Sequence, residues 1–118
     1  MILHLGHLPD RDLNPNKRLL HMALYQAKLL AKEEMYLCVL KQGRPRAVLP
    51  KAHITITWVA KDKRRRDIDN LFSSMKAYID GLVAAGLIAD DSADHVTYSL
   101  RYERGTQEDT IIEIEGSY

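Results

Sequence analysis

From His53 to Ala60 the chain reads HITITWVA, an alternation of apolar and polar side chains on a β-branched background that predicts a half-buried strand. A shorter alternation over residues 2–8 predicts another strand near the N-terminus. Leu20, Ala23, Leu24, Ala27, Leu30 and Ala31 recur at three- and four-residue spacing and predict a long helix. Asn14 and Pro15 suit its N-cap and first position, and Gly43 its end after Lys41. From Leu71 the period changes again, with Met75, Tyr78, Ile79, Leu82 and Val83 on one helical face that Gly86 can close in a left-handed cap. Val96, Tyr98, Leu100 and Tyr102 alternate, RGTQED forms a turn, and TIIEIE follows, which predicts two last strands joined as a hairpin. The order β-α-β-α-β-β implies one α+β domain over residues 1–118, with a small mixed sheet packed on two main helices.

The 118 residues carry 17 Lys and Arg against 16 Asp and Glu, a net charge of +1. That balance argues against a generally basic packaging protein, so any nucleic-acid contact must come from a local patch. Cys38 is the only cysteine and sits within MYLCVL, so an internal disulfide is excluded and a reducing compartment suits the chain. No apolar run approaches the roughly 20 residues of a membrane span, and the first residues lack the pattern of a signal peptide. The expectation is a cytoplasmic protein with no membrane partner. The histidines at 4, 7, 21, 53 and 95 have no zinc-ligand spacing.

Charge concentrates in one place, KRRRDIDN at residues 63–70. If Asp67 and Asp69 continue the preceding strand, their two-residue spacing turns both carboxylates to one side and Ile68 to the other. Asp90 and Asp91 follow the second helix, and a return of the chain would bring a third carboxylate near the first two. Such a set suits Mg²⁺ or Mn²⁺, which prefer oxygen ligands in octahedral geometry. Lys76 falls on the polar face of the helix about two turns, or ~10 Å, beyond Asp69, in the same arc as Ser73 and Asp80. Simpler roles exist for each: Asp69 or Asn70 as a helix cap, Lys76 paired with Asp80, and Asp90–Asp91 as a solvated turn. Acids alone repel DNA, and cations alone do not activate water. A divalent ion beside Lys63, Arg64, Arg65 and Arg66 meets both needs at a phosphodiester.

The stretch RRRDIDNLFSSMKAYIDGLVAAGLIADDS, Arg64 to Ser92, resembles the RusA family of Holliday junction resolvases, small metal-dependent endodeoxyribonucleases common in bacteriophages and prophages. The likeness runs through R-D-x-D-N-L, the lysine, the D-G-L step, the A-G helix end and the closing D-D. It covers about a quarter of the chain, and LNPNKRLLH looks like the family's weaker N-terminal signature. The resemblance implies a RusA-like fold with Asp67, Asp69 and Asp91 as catalytic metal-binding acids, Asp90 being the alternate. It further implies Lys76 as the catalytic lysine, Arg66 as a DNA contact, a homodimer, and paired symmetric cuts in four-way DNA with Mg²⁺ or Mn²⁺. One departure stands out: some members place the lysine four positions past the second acid, where this chain has Ser73. Two other functions compete with this expectation: a non-catalytic DNA-binding recombination accessory protein, and a nuclease that prefers flap or Y-shaped DNA.

Overall fold

The computed structural model describes residues 1–117. Its elements are β1 (Ile2–His4), α1 (His21–Lys41), β2 (Lys51–Ala60), α2 (Ile68–Ser73), α3 (Lys76–Ala84), β3 (Val96–Arg104) and β4 (Asp109–Ser117), with one 3-10 turn at Arg11–Leu13. Among the described residues they build a mixed four-stranded sheet in the order β1-β4-β2-β3 with helices packed on it, the α+β architecture the patterning predicts. β2 pairs parallel with β3 and antiparallel with β4, and β1 closes the far edge antiparallel to β4. Ile54, Ile56 and Trp58 on β2 are fully buried in one core with Ile112 of β4, Met75 between the two short helices, and Tyr78 and Leu82 of α3. The opposite face of the sheet carries exposed residues such as Thr97, Ser99 and Arg101. No helix among the described residues is long and apolar enough to cross a membrane.

The two last strands do not form the expected hairpin. Residues 105–108 instead step over the end of β2, which occupies the place between them, and the Gly105 N–H donates to the Ala60 carbonyl at 3.0 Å. A Cβ at Gly105 would lie 2.7 Å from Val59 Cγ1, so the crossing fits a glycine. β2 is the most apolar strand, and it gains two paired edges by lying inside the sheet. Its parallel pairing with β3 sets Ala60 opposite Arg104, so the C-terminal ends of both strands open at the same edge. The charged segment leaves from that edge.

The helices also differ from the periodicity reading. α1 begins at His21 after Leu20, not at Pro15. Asn14 does not cap α1 but ends the 3-10 turn; its side-chain oxygen accepts the N–H of Asn16 at 2.9 Å, an Asx turn that holds the chain in a loop before the helix. The buried stripe of α1 is Ala27, Ala31, Met35 and Val39, while Leu20 and Leu30 are exposed. Small residues in that stripe admit α3 closely, because Gly81 sits against the Lys32 carbonyl and Met35. The second predicted helix is divided at Ser74–Met75, where the Met75 N–H donates to the Phe72 carbonyl three residues back at 2.9 Å and both residues are buried. Both helix ends expected at glycine are found. Gly43 has φ 109° and Gly86 φ 77°, and after α3 the Gly86 and Leu87 N–H groups return to the Val83 and Leu82 carbonyls as a Schellman cap.

Candidate nucleic-acid interface and acidic site

β2 ends at Ala60, and residues 61–67 form neither helix nor strand. Asp67 and Asp69 therefore do not project from a strand as expected. Asp67 is extended, with φ −89° and ψ 129°, at the N-cap position of α2, and its side chain makes no capping hydrogen bond. Its recorded partner is Arg65, whose Nη2 lies 3.3 Å from Oδ1. Asp69 stands in the first turn of α2, where Oδ1 accepts the N–H of Asn70 at 2.9 Å. Negative charge in a first helical turn is favourable because the backbone N–H groups there point toward it.

Across the break between helices, Lys76 opens α3. Its ammonium donates to Asp80 Oδ1 at 2.8 Å, one turn on, and to Asp91 Oδ2. Those two bonds raise the Lys76 pKa well above that of a free lysine, and Lys76 in turn lowers that of Asp91. The group is thus a fixed ammonium flanked by carboxylates. The structure separates the adjacent acids that sequence could not: Asp91 faces Lys76 with its side chain 22% exposed, whereas Asp90 is 52% exposed and caps the Asp91 N–H at 2.9 Å. Edge-on packing of Phe72 against Tyr98, centroids 4.9 Å apart, closes the floor beside them. Burial raises the Tyr98 pKa, and Asp91 adds to that rise.

The cations divide. Arg65 is 91% exposed, but Arg66 is only 17% exposed and turned inward onto Asp62 and Tyr102. Lys63 and Arg64 are exposed, and among the described residues neither makes an ion pair. Arg64, Arg65 and Asp67 form one wall of a groove of about 920 Å³. The N-terminal loop lines it as well, with Asn14, Asn16 and Lys17 about fifty residues earlier in sequence, and the lining also includes Asp10, Asp12, Asp62 and Glu108. Lys17 is held there by Asp12 at 2.5 Å. Asp69, Lys76 and Asp91 lie outside this groove.

Asp62, Tyr102 and Arg104 are neighbours of the charged segment that sequence reasoning missed. An Asp four residues before an Arg signals a pair only on a helix, and this segment is not helical. Tyr102 and Arg104 become neighbours solely through the parallel pairing of β2 and β3.

Among the described residues, no three or more His, Cys, Asp or Glu side chains are gathered so as to hold a metal ion. The expected meeting of Asp67, Asp69 and Asp91 is therefore not seen, Asp91 being engaged by Lys76. The donor chemistry still suits Mg²⁺, which keeps most of its waters and commonly takes one or two carboxylates together with substrate phosphates. Asp67 and Asp69 are exposed oxygen donors of that kind, and Asp67 lines the groove with cations able to bring a phosphate.

No protein-family model matches the chain, and no curated protein matches it either.

Proposed function

We propose that the protein is a metal-dependent endodeoxyribonuclease that resolves four-way DNA junctions by paired phosphodiester cleavage, as the RusA resemblance of residues 64–92 implies. The observation that carries the reading is the groove lined together by Asp67, whose side chain makes no capping hydrogen bond, by Arg64 and Arg65, and by Asn14, Asn16 and Lys17. A phosphate drawn to those cations would lie beside the Asp67 carboxylate, whose side-chain partner is the exposed Arg65 at 3.3 Å. Mg²⁺ or Mn²⁺ would be held by Asp67 and Asp69 with Asp91 as the third acid, and when bound it would neutralise the scissile phosphate and lower the pKa of a water. Arg64 and Arg65 orient the DNA backbone. Lys76, kept charged by Asp80 and Asp91, supplies a cation for charge that develops on the phosphate or leaving oxygen. We place this activity in the cytoplasm of a bacterial host, in phage or prophage recombination and repair.

A substrate panel tests it. End-labelled four-way, Y-shaped, flap and linear DNAs, incubated with Mg²⁺, Mn²⁺ or EDTA, should show metal-dependent cutting strongest on the four-way junction. Strongest cutting of flap or Y-shaped DNA would reassign the substrate. Salt dependence tests the interface separately: Arg64→Ala with Arg65→Ala should make the slope of log affinity against log salt shallower by roughly one to two units. An unchanged slope would move the DNA surface elsewhere, to Arg44, Arg46 and Lys51 in the first instance.

A homodimer belongs to the same proposal, because two symmetric cuts need two active sites related by a two-fold axis. α1 supports it with a second apolar stripe, Met22, Tyr25, Leu29, Leu30 and Leu37, which points to solvent. Large apolar side chains exposed together on one helix face, here beside Gln26 and Glu33, are a common feature of interaction sites. Sedimentation should show a dimer for the wild type and a 13.5 kDa monomer for Leu30→Glu. A wild-type monomer, even with junction DNA bound, would contradict this part.

The second reading is a non-catalytic DNA-binding recombination accessory protein. It is favoured by the absence of a gathered three-carboxylate group among the described residues. It predicts the same salt-sensitive binding without cleavage in any divalent metal.

A further inference from the structure

Residues 61–67 carry the exposed cations and Asp67, yet from Lys61 to Arg66 no ladder or helical hydrogen bonds set their path, and only at Asp67 does a carbonyl accept one, from the Leu71 N–H at 3.1 Å. The path is set instead by side chains. Arg66 Nη1 and Nη2 donate to the two carboxylate oxygens of Asp62 at 2.7 and 3.0 Å, and the Arg64 N–H donates to Asp62 Oδ1 at 3.1 Å. β3 grips the same turn from outside: the Tyr102 hydroxyl accepts from Arg66 Nη1 at 3.2 Å, and Arg104 donates to the Asp62 carbonyl and, at 3.3 Å, to that of Arg64. The Arg104 guanidinium also lies 5.5 Å from the Tyr102 ring centroid, within cation–π range.

We infer that Asp62 is a positioning residue for cleavage: through Arg66 it locks the turn that points Arg64 and Arg65 outward and sets Asp67 at the start of α2. This deepens the nuclease reading and rests on it. A fork–fork pair between guanidinium and carboxylate fixes orientation as well as distance, which a lysine in place of the arginine would not do. Arg66 therefore contributes little net charge to DNA, since its guanidinium is occupied and mostly covered. The Arg66 bonds also hold the Asp62 carboxyl far below the usual carboxylate range, so the fork stays ionised on both sides throughout the working pH range. A turn anchored at both ends, by Asp62 within and by β3 outside, delivers its cations in one arrangement instead of many. Less conformational freedom then has to be lost when DNA binds and the acids engage.

The test uses Asp62→Asn and Arg66→Lys in the full chain, each measured by amide hydrogen exchange, junction affinity and single-turnover cleavage. Exchange at the Arg64 amide, the one amide among residues 64–67 with a hydrogen-bond acceptor, should rise in both variants, and cleavage should fall about 10–100-fold, the usual cost of losing a group that orients a functional side chain. Junction affinity should hold for Arg66→Lys and hold or tighten for Asp62→Asn, which deletes a negative charge. The double variant should be no worse than either single one, because both break the same fork. Unchanged exchange overturns the brace whatever the nuclease assay gives. Faster exchange with wild-type cleavage overturns the positioning role. If the wild type cuts no DNA, the nuclease reading fails, and with it the role in cleavage, while the exchange result still decides whether Asp62 holds the turn.

Discussion

Asp67→Asn, Asp69→Asn and Asp91→Asn should each lower metal-dependent junction cleavage by a factor on the order of 10² or more while leaving junction affinity close to that of the wild type. Asparagine keeps the shape of the side chain and removes the charge a divalent cation needs. The exposed Arg64 and Arg65, which carry affinity in this account, are kept, and Asp67→Asn weakens only the 3.3 Å pairing of Arg65 with that side chain. Asp91→Asn also deprives Lys76 of one of its two carboxylate partners, leaving Asp80. Lys76→Ala separates these roles: it should cut cleavage on the same scale with only a modest change in affinity, because a cation placed for developing charge matters more in the transition state than in the ground state. Quenched-flow single-turnover kinetics over a series of protein concentrations reads both quantities, the plateau giving cleavage and the half-saturation point giving affinity. Three acid variants cutting at the wild-type rate would remove the metal-site assignment. A normal Lys76→Ala would leave Lys76 as a solvated helix residue paired with Asp80.

Gly81→Ala should lower stability by about 1–3 kcal/mol, the usual cost of forcing an extra methyl into a packed contact. A Cβ at this position would lie 2.5 Å from the Lys32 carbonyl oxygen and 2.7 Å from Met35 Cβ, with the Tyr36 nitrogen at 3.2 Å. Two of those three atoms are backbone, so α1 and α3 must separate for the methyl to fit. The glycine of the D-G-L step thus serves packing, and the chemistry depends on it indirectly. α3 presents Lys76 and Asp80 from the turns just before Gly81, and moving it away from α1 would shift both. Thermal unfolding by circular dichroism should show a midpoint several degrees lower. An unchanged midpoint would mean that the helices do not approach as closely as described.

Alternation and periodicity foretold the elements whose burial is one-sided or complete. β2 is legible because its β-branched residues alternate through a buried strand, and the ends of α1 and α3 are legible because Gly43 and Gly86 both adopt positive φ. The start of α1 was not, since Asn14 can cap a helix or close an Asx turn, and only the loop packing decides between them. The hairpin reading failed for a related reason. A short polar turn says that β3 and β4 are close in sequence, but not that β2 will insert between them.

At the candidate site, local spacing found the acids, Lys76 and its Asp80 partner. It did not find that Arg66 folds back onto Asp62, or that Asn14, Asn16 and Lys17 line one groove with Arg64 and Arg65. Those relations are made by tertiary packing between segments that carry no periodic signal of their own. Placing Asp67 and Asp69 on a strand was likewise a local extrapolation. The strand stops seven residues before Asp67, where Gly105 crosses the end of β2 and the charged turn begins.

The central claim is junction cleavage, and mapping cuts on a four-way DNA junction labelled on each strand tests it most directly. With Mg²⁺, the account predicts two incisions placed symmetrically on opposite strands, none with EDTA, and none with Asp67→Asn at protein concentrations that saturate binding. An intact junction in both Mg²⁺ and Mn²⁺, with the wild-type protein bound to it, would contradict the account and leave the accessory DNA-binding reading in its place.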